Sequence, residues 1–484
     1  MKARTSILRT ALVATSLVGS LDAARAQTTW RRTYGGFDSN VGRSIRQTDD
    51  GGYILAGSTG SFGASGQAYV LKLDSSGLVE WTSILGDNGV QEGMACRIVA
   101  DGYILAGTTT TGDFGGYDLY LVRLDGEGQV LWERSYGTGA WDIGSDVEVL
   151  TDGFVLAGTT YSNGVGDAYV VRTDLSGDAL WTRTFGMAGE DVVMGVFATV
   201  GGDAIITGSQ QQGTDDDPDG FISRLASDGD IMWTATFGGD SVDYLHSAVE
   251  TTDGGFVCSG GTNSFLNVKQ ILLVKVDANG AGLWQEVFGS MGDSEGREIQ
   301  LTQNGDFAIA SYNSYNNAGG KDMVLFIASS TGDFLLGKNY GGLDDEYGYS
   351  IESTSDGGYI TIGTAEGYGP GFRSIYVVKG DPTGETADDT VYEMFDDSAI
   401  SDGGGANATR SIFPNPATTS IRFASIAALT SAHLLDPQGR LSREWRKPLP
   451  QDLDLRGLSP GAYQLVTTNE AGGRAAQTLI IAAP

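Results

Sequence analysis

Residues 50–58 read DGGYILAGS, residues 68–74 read AYVLKLD, and a tryptophan follows at Trp81. The two runs are rich in β-branched and aromatic residues and are bounded by Asp, Gly and Ser. The Asp-Gly-Gly ahead of the first and the Asp-Ser-Ser-Gly at 74–77 after the second supply the positive φ of tight hairpins. With the apolar segment 44–48 in front, this order predicts four short antiparallel strands. The same order returns along the chain. Trp30, Trp81, Trp132, Trp181, Trp233 and Trp284 recur at spacings of 51, 51, 49, 52 and 51, each four residues before an aromatic or Leu followed by Gly, as in Tyr136-Gly137. A seventh copy has Leu336 in place of the tryptophan and keeps Tyr340-Gly341; DGGF at 253–256 and DGGY at 356–359 repeat the hairpin signal. Units four and six depart from it, with Gly201-Gly202-Asp203 and Asn304-Gly305-Asp306.

Seven four-stranded units of about 50 residues predict an all-β fold, a seven-bladed β-propeller over residues 27–381. One such sheet cannot bury both faces alone, whereas seven stacked radially can. A linear β-solenoid would need shorter units. Trp30–Tyr34 is a tryptophan strand with no blade before it, and the last unit ends at YVVKGD (376–381) with no tryptophan strand after it. The N-terminal strand is therefore expected to complete the last blade and remove the exposed sheet edge.

The chain holds 61 acidic and 30 basic residues in 484, a formal net charge of −31. Nucleic-acid binding depends on Lys and Arg neutralising phosphates, so this balance argues against it and against anionic membrane surfaces. Glycine is abundant (73 residues), yet the apolar share is 40% and no collagen period is present, which marks a folded, turn-rich protein. Lys2, Arg4 and Arg9 precede an apolar stretch at 11–21 that is too short to span a bilayer, and Ala24-Arg25-Ala26 offers small residues for a signal peptidase. Residues 1–26 therefore read as a signal peptide, with no membrane span in the mature chain. Cys96 and Cys258 each replace an apolar residue of the repeat and read as two separate core thiols rather than a disulfide.

The repeats resemble the DGG-type β-propeller repeats of secreted bacterial proteins and, more distantly, the tryptophan-docked blades of quinoprotein-like propellers. Quinoprotein dehydrogenases carry a vicinal disulfide, and this chain has no adjacent cysteines. From 382 to 409 the periodicity stops, and the segment carries seven acids and no base, ending in Gly403-Gly404-Gly405; it reads as an acidic linker. Residues 410–484 carry eight basic and five acidic residues, and their short segments are split by Pro-Asn-Pro, Pro-Gln-Gly and Ser-Pro-Gly turns, predicting a small β-sandwich. This region resembles the type A C-terminal sorting domain of the type IX secretion system of Bacteroidota. The resemblance is carried by Pro414-Asn415-Pro416, by Gly439-Arg440 after Asp436, and by Gly461 with Tyr463 after Leu458-Ser459-Pro460. It departs at Gln477 and Thr478, where the family usually has a Lys. The resemblance implies Sec export, recognition by the type IX machinery, passage across the outer membrane, and release or attachment at the cell surface.

Chemistry is sparse. His246 and His433 fall in unrelated strands, no G-x-S-x-G, P-loop or H-E-x-x-H occurs, and no zinc-ligand spacing is present. The expectation is a non-enzymatic binding or structural protein without an organic cofactor. A polysaccharide-degrading enzyme working through paired carboxylates is the alternative. Calcium is the one candidate ion: Asp215, Asp217 and Asp219 lie in D-x-D-x-D-G, but Ser223 and Ala226 stand where further ligands belong. Lys72/Asp74 and its copies Arg123/Asp125, Arg172/Asp174 and Lys275/Asp277 read as turn and inter-blade salt links. The long second-to-third loops and the links between blades share one rim, and the links supply Asp38, Glu92, Asp142, Asp191, Asp243, Asp293 and Asp345. That rim is the expected ligand face, for a glycan, a surface protein or a cation-bridged partner.

Overall fold

The computed structural model describes residues 28–393 apart from 64–65, 87–88, 187–188, 212–216, 290–291, 315–318, 370–371 and 388–389. Further on it describes 412–413, 420–423, 429–435, 441–450, 452–459, 461–469 and 474–481. The signal-peptide reading of residues 1–26 lies outside the described residues. No helix is present among those described.

Seven sheets form the expected blades: six of four consecutive antiparallel strands, at 40–85, 91–136, 142–185, 191–237, 243–288 and 294–340, and a seventh of three such strands at 346–380 completed by Trp30–Tyr34. The closure is the one read from the sequence. Trp30–Tyr34 pairs antiparallel with Ser374–Gly380, Trp30 opposite Lys379 and Tyr34 opposite Ile375. Units four and six form complete blades, because Gly202 (φ 87) and Gly305 (φ 83) supply the same left-handed turn residue as regular copies such as Gly51 (φ 82) and Gly254 (φ 77).

The second and third strands of the blades are buried along almost their whole length and are mostly apolar, as in QAYVLKL at Gln67–Leu73, where Gln67 and Lys72 are the polar exceptions. The outermost strand alternates between exposed and half-buried positions. Its tryptophan reaches the neighbouring blade. Trp30 Nε1 donates to Ser75 O at 3.3 Å, Trp181 Nε1 to Ser227 O at 3.0 Å and Trp233 Nε1 to Ala278 O at 3.2 Å. Each receiving segment is the Asp-x-x-Gly-type turn of the next blade, whose left-handed glycine leaves room for the indole. The tyrosine four residues on adds a second tie: Tyr34 Oη donates to Gly77 O at 2.8 Å and Tyr136 Oη to Gly177 O at 2.5 Å. The indoles of Trp81, Trp132 and Trp181 are only half-buried, so docking is shared between these two side chains.

The segment read as a linker begins with the seventh copy of this turn. Asp381 caps the N–H groups of Thr383 and Glu385, and Gly384 O accepts from Tyr340 Oη at 2.7 Å. Thr390–Glu393 then adds a strand parallel to Trp30–Tyr34. The last sheet of the propeller therefore extends past residue 381 to Glu393, and residues 394–409 of the segment lie outside the described residues.

The C-terminal region holds a three-stranded sheet and a four-stranded sheet, and one apolar core takes Ile421 and Leu453 from the first and Leu434, Leu465 and Leu479 from the second. This is the small sandwich expected. Cys96 and Cys258 are free, buried thiols.

Candidate functional site

In every blade the first strand is innermost, and the first strands of neighbouring blades pack against one another around the axis. Each is broken by a bulge after its third residue, where pairing with the second strand slips, as between Gly42 and Ser44 or between Gly348 and Ser350. A bulge leaves one residue unpaired and re-aims its side chain. Here the bulged residues Arg43, Met94, Ser145, Met194, His246, Arg297 and Tyr349 all line an axial cavity of about 350 Å³ walled by the first strands of all seven blades.

The cavity is charged although the core around it is apolar. Arg46 Nη2 meets Glu298 Oε1 at 2.6 Å, and Arg97 holds Asp146 at 2.9 Å and Glu148 at 2.6 Å. Burial pushes Glu298 up, but Arg46 and Arg97 more than offset it and hold the carboxyl below the usual range. Asp146 goes the other way: burial lifts it to about 6 against the pull of Arg97, which it shares with Glu148. These pairs bridge blades one to six, reaching across blade seven, and blades two to three, which are neighbours.

The sevenfold pattern breaks on one side. At the second and fourth positions of the first strand, blades three and four carry Ile143, Ser145, Val192 and Met194. Blades five to seven carry Tyr244, His246, Glu295, Arg297, Tyr347 and Tyr349. Glu295, 2% exposed, is the hub: it accepts from Arg297 Nη2 at 2.7 Å, Lys269 Nζ at 3.0 Å and Tyr312 Oη at 2.8 Å. His246 Nε2 lies 2.7 Å from Glu295 Oε1. Burial and the Arg297 charge push the imidazole down to about 4, so it is neutral at physiological pH and donates from Nε2. The histidine's proton is thus spent on a carboxylate held well below its ordinary range, by its hydrogen bond from His246 and the charges of Arg297 and Lys269, against its burial. Cations lie over the tyrosine faces: Arg43 over Tyr349 at 4.5 Å, Arg297 over Tyr349 at 5.4 Å, and Lys321 over Tyr312 at 4.8 Å and Tyr347 at 5.1 Å. Lys269 and Lys321 stand just ahead of third strands, on the long-loop rim, so the cluster runs from that rim into the cavity.

The seven rim acids do not form one face. Asp142, Asp191 and Asp243 open their first strands and are buried, 0%, 1% and 0% exposed. Asp142 Oδ2 accepts from Thr138 N at 2.7 Å and Asp243 Oδ2 from Gly239 N at 2.8 Å, so these carboxylates hold the preceding link in place. Asp38 and Glu92 are exposed. Asp293 and Asp345 are half-buried, and their Oδ1 atoms accept from the backbone of Lys269 and Lys321 at 3.2 and 2.8 Å. The physical reason is register: a one-residue shift across the link-to-strand boundary turns a solvent-facing acid into a buried one.

Of the D-x-D-x-D-G motif, Asp215 lies outside the described residues, Asp217 is exposed, and Asp219 opens the third strand of blade four. The basic partners of the strand-end pairs also differ from the expectation. Lys72 meets Asp50 at 2.8 Å and Glu80 at 2.9 Å, and Lys275 meets Asp253 at 2.8 Å, all within one blade. Asp74 instead caps its own turn, accepting from Ser76 N and Leu78 N. Among the sorting-signal residues, Pro414, Asn415, Pro416, Gly439 and Arg440 lie outside the described residues; Gly461 opens a strand and Tyr463 is buried, its Oη donating to Ser459 O at 3.0 Å. Missed from the sequence were the exposed aromatics of the long-loop rim, Phe114, Trp141, Phe265 and Phe372, and the tyrosine and cation cluster; the missed signal was the break in the repeat at blades five to seven.

No protein-family model and no curated protein matches this sequence. Solved structures with a similar arrangement include an extracellular domain ascribed to a hybrid two-component system of B. thetaiotaomicron, at 11% identity and TM-score 0.44 over 94% of this chain and 58% of that one. A puromycin hydrolase aligns at 16% identity and TM-score 0.47 over 70% and 52%. PorZ of Porphyromonas gingivalis, a surface component of the type IX secretion system, aligns at 12% and 0.39 over 90% and 59%. The chain thus spans little more than half the length of these proteins.

Proposed function

We propose that this chain is an exported, non-enzymatic propeller that binds an acidic glycan at the long-loop mouth of its central cavity, on the side of blades five to seven. The observation that carries the reading is the broken symmetry there. A repeat scaffold needs no cluster of tyrosines, with Arg297, Lys269 and Lys321, on three of seven blades and Arg43 of blade one set over Tyr349, and aromatic faces with adjacent cations suit sugar rings bearing carboxylates. Phe114, Trp141, Phe265 and Phe372 add exposed aromatic side chains to the loops and links of the same rim. Export is supported by Lys2, Arg4 and Arg9 ahead of the apolar stretch, and by the sorting motifs from Pro414 to Tyr463, which also make the type IX machinery the expected partner.

The test is a glycan array on the full chain with polyuronates and neutral glucans, followed by titration of any binder and assay for released product. Arg43→Ala with Tyr349→Ala should weaken polyuronate binding about tenfold, the loss of about 1.4 kcal/mol. Leu131→Ser on the outer strand should leave it unchanged. Equal binding by the parent and the double variant sinks the proposal, and product release favours the enzymatic reading.

A further inference from the structure

Neighbouring blades are stitched at the long-loop rim by a recurring backbone hydrogen bond, in which the residue opening a first strand donates to the carbonyl just ahead of the preceding blade's third strand. Asp142 N to Tyr117 O at 2.6 Å and Asp243 N to Pro218 O at 2.8 Å are two of its seven copies. The stitch sets side by side the residues that open those two strands. Four of the resulting pairs are acid with acid: Asp118/Asp142, Asp167/Asp191, Asp219/Asp243 and Asp322/Glu346. The other three are neutral with neutral: Gln67/Gln91, Gln270/Ser294 and Ser374/Asn40. Within the seven pairs no acid is matched with an amide or a hydroxyl, although outside them Ser264 Oγ donates to Asp243 Oδ2 at 2.6 Å, Asn163 Nδ2 to Asp167 Oδ2 at 2.9 Å and Asn339 Nδ2 to Asp322 Oδ2 at 3.2 Å.

The acid pairs converge on the glycine that follows the aromatic in the repeat. A β-carbon on Gly137 would collide with both Asp118 Oδ1 and Asp142 Oδ2, and one on Gly341 with both Asp322 Oδ1 and Glu346 Oε2. Asp118, Asp142, Asp243 and Glu346 are fully buried. Backbone amides satisfy one oxygen in each case, such as Phe114 N to Asp118 Oδ2 and Gly342 N to Glu346 Oε2. Asp118 Oδ1, Asp243 Oδ1, Asp322 Oδ1 and Glu346 Oε1 are left with no hydrogen-bond donor, and among the described residues no Lys, Arg or His pairs with these four acids. Loop capping alone does not explain the matching, since an acid opposite a glutamine would cap its loop equally well and receive a hydrogen bond for its orphaned oxygen. An occupant that needs two carboxylates together does explain it.

We propose that the four acid pairs each bind a divalent cation, Ca²⁺ by their all-oxygen chemistry, and so clip adjacent blades together beneath the long-loop rim. The donor set is sparse and irregular, which Ca²⁺ tolerates and Mg²⁺ does not, and places the affinity at roughly 10⁻⁴–10⁻³ M, as in other extracellular modules. The proposal stands apart from the glycan site, because none of these acids lines the central cavity.

The experiment is equilibrium dialysis of the full chain against ⁴⁵Ca²⁺, with thermal unfolding in millimolar CaCl₂ and in EGTA. The parent should bind up to four ions and unfold at higher temperature with Ca²⁺. The isosteric pair Asp118→Asn with Asp142→Asn should bind one ion fewer, and Gln67→Asn should bind the same number as the parent. Should that pair fail to fold, Asp167→Asn with Asp191→Asn gives the same count. No bound Ca²⁺ in the parent, an unchanged count in the amide variants, or a stability that follows pH and ignores Ca²⁺, as two carboxyls sharing a proton would give, overturns the proposal.

Discussion

Removing the indole of Trp132 and crowding the turn beneath it should not have independent effects. Trp132 belongs to blade two and lies against Gly177 of the Asp-x-x-Gly turn of blade three, with the Phe154 ring 6.2 Å away and the Arg134 guanidinium at 5.4 Å. A fully buried Trp→Ala replacement costs about 3–5 kcal/mol. Trp132 is half-exposed, so the expected cost is about 2 kcal/mol. Gly177→Ala places a β-carbon on a residue at φ 79, a strain of about 1–2 kcal/mol, and brings it within 2.8 Å of Trp132 Cζ3 and 2.9 Å of Arg134 Cγ. The added clash raises the cost to about 2–3 kcal/mol. With the indole gone, the strain remains and much of the clash does not, so the double variant should be more stable than the sum of the singles by about 1 kcal/mol. Urea unfolding of the full chain, followed by far-ultraviolet circular dichroism so that the lost tryptophan does not bias the signal, measures this coupling. Additivity within about 0.3 kcal/mol would refute the docking of this indole on that glycine.

Two further outcomes follow from named residues. Burial, with Asp322 and Asp344 nearby, lifts the Glu346 carboxyl from its ordinary 4.5 to about 8, so the folded chain holds that proton more tightly than the unfolded one. In EGTA, stability should therefore be highest below about pH 4.5 on this account and fall as pH rises toward 8; Glu346→Gln should remove roughly 2–4 kcal/mol of that fall, and an unchanged pH profile of the denaturation midpoint would count against it. Deleting residues 410–484 should retain a folded propeller inside the outer membrane of the native host; the truncated chain appearing at the cell surface in normal amount would remove the sorting reading.

The parts of the fold set by local chemistry were legible in the sequence. The glycines at 51, 77, 128 and 177 must take positive φ, so turns could be placed to the residue, and the tryptophan period counted the blades. Closure followed from a surplus strand at one end and a missing one at the other. What failed depended on which side of a strand a residue faces. Asp345 and Glu346 are adjacent, yet one is half-buried at the rim and the other is sealed between blades. Lys72 beside Asp74 reads as a turn or inter-blade salt link, whereas it crosses the hairpin to Asp50 within its own blade. The cavity was the least legible part. Its lining is selected by a bulge in each first strand, which displaces the alternation by one residue, and an alternating pattern read without that shift sends Arg43, His246 and Tyr349 into the wall instead of the opening.

The strand Thr390–Glu393 lies parallel to Trp30–Tyr34, from Arg31 opposite Thr390 to Tyr34 opposite Glu393. The chain leaves this strand at its far end, while the N-terminal residues leave Trp30 at the near end. Thr390–Glu393 is the outermost strand of the seventh blade's sheet, so its contact with the propeller passes through Trp30–Tyr34. The strand that closes the ring is thus held from both sides, by the pairing with Ser374–Gly380 that joins the chain ends and by a second, parallel pairing that covers what would otherwise be its open edge.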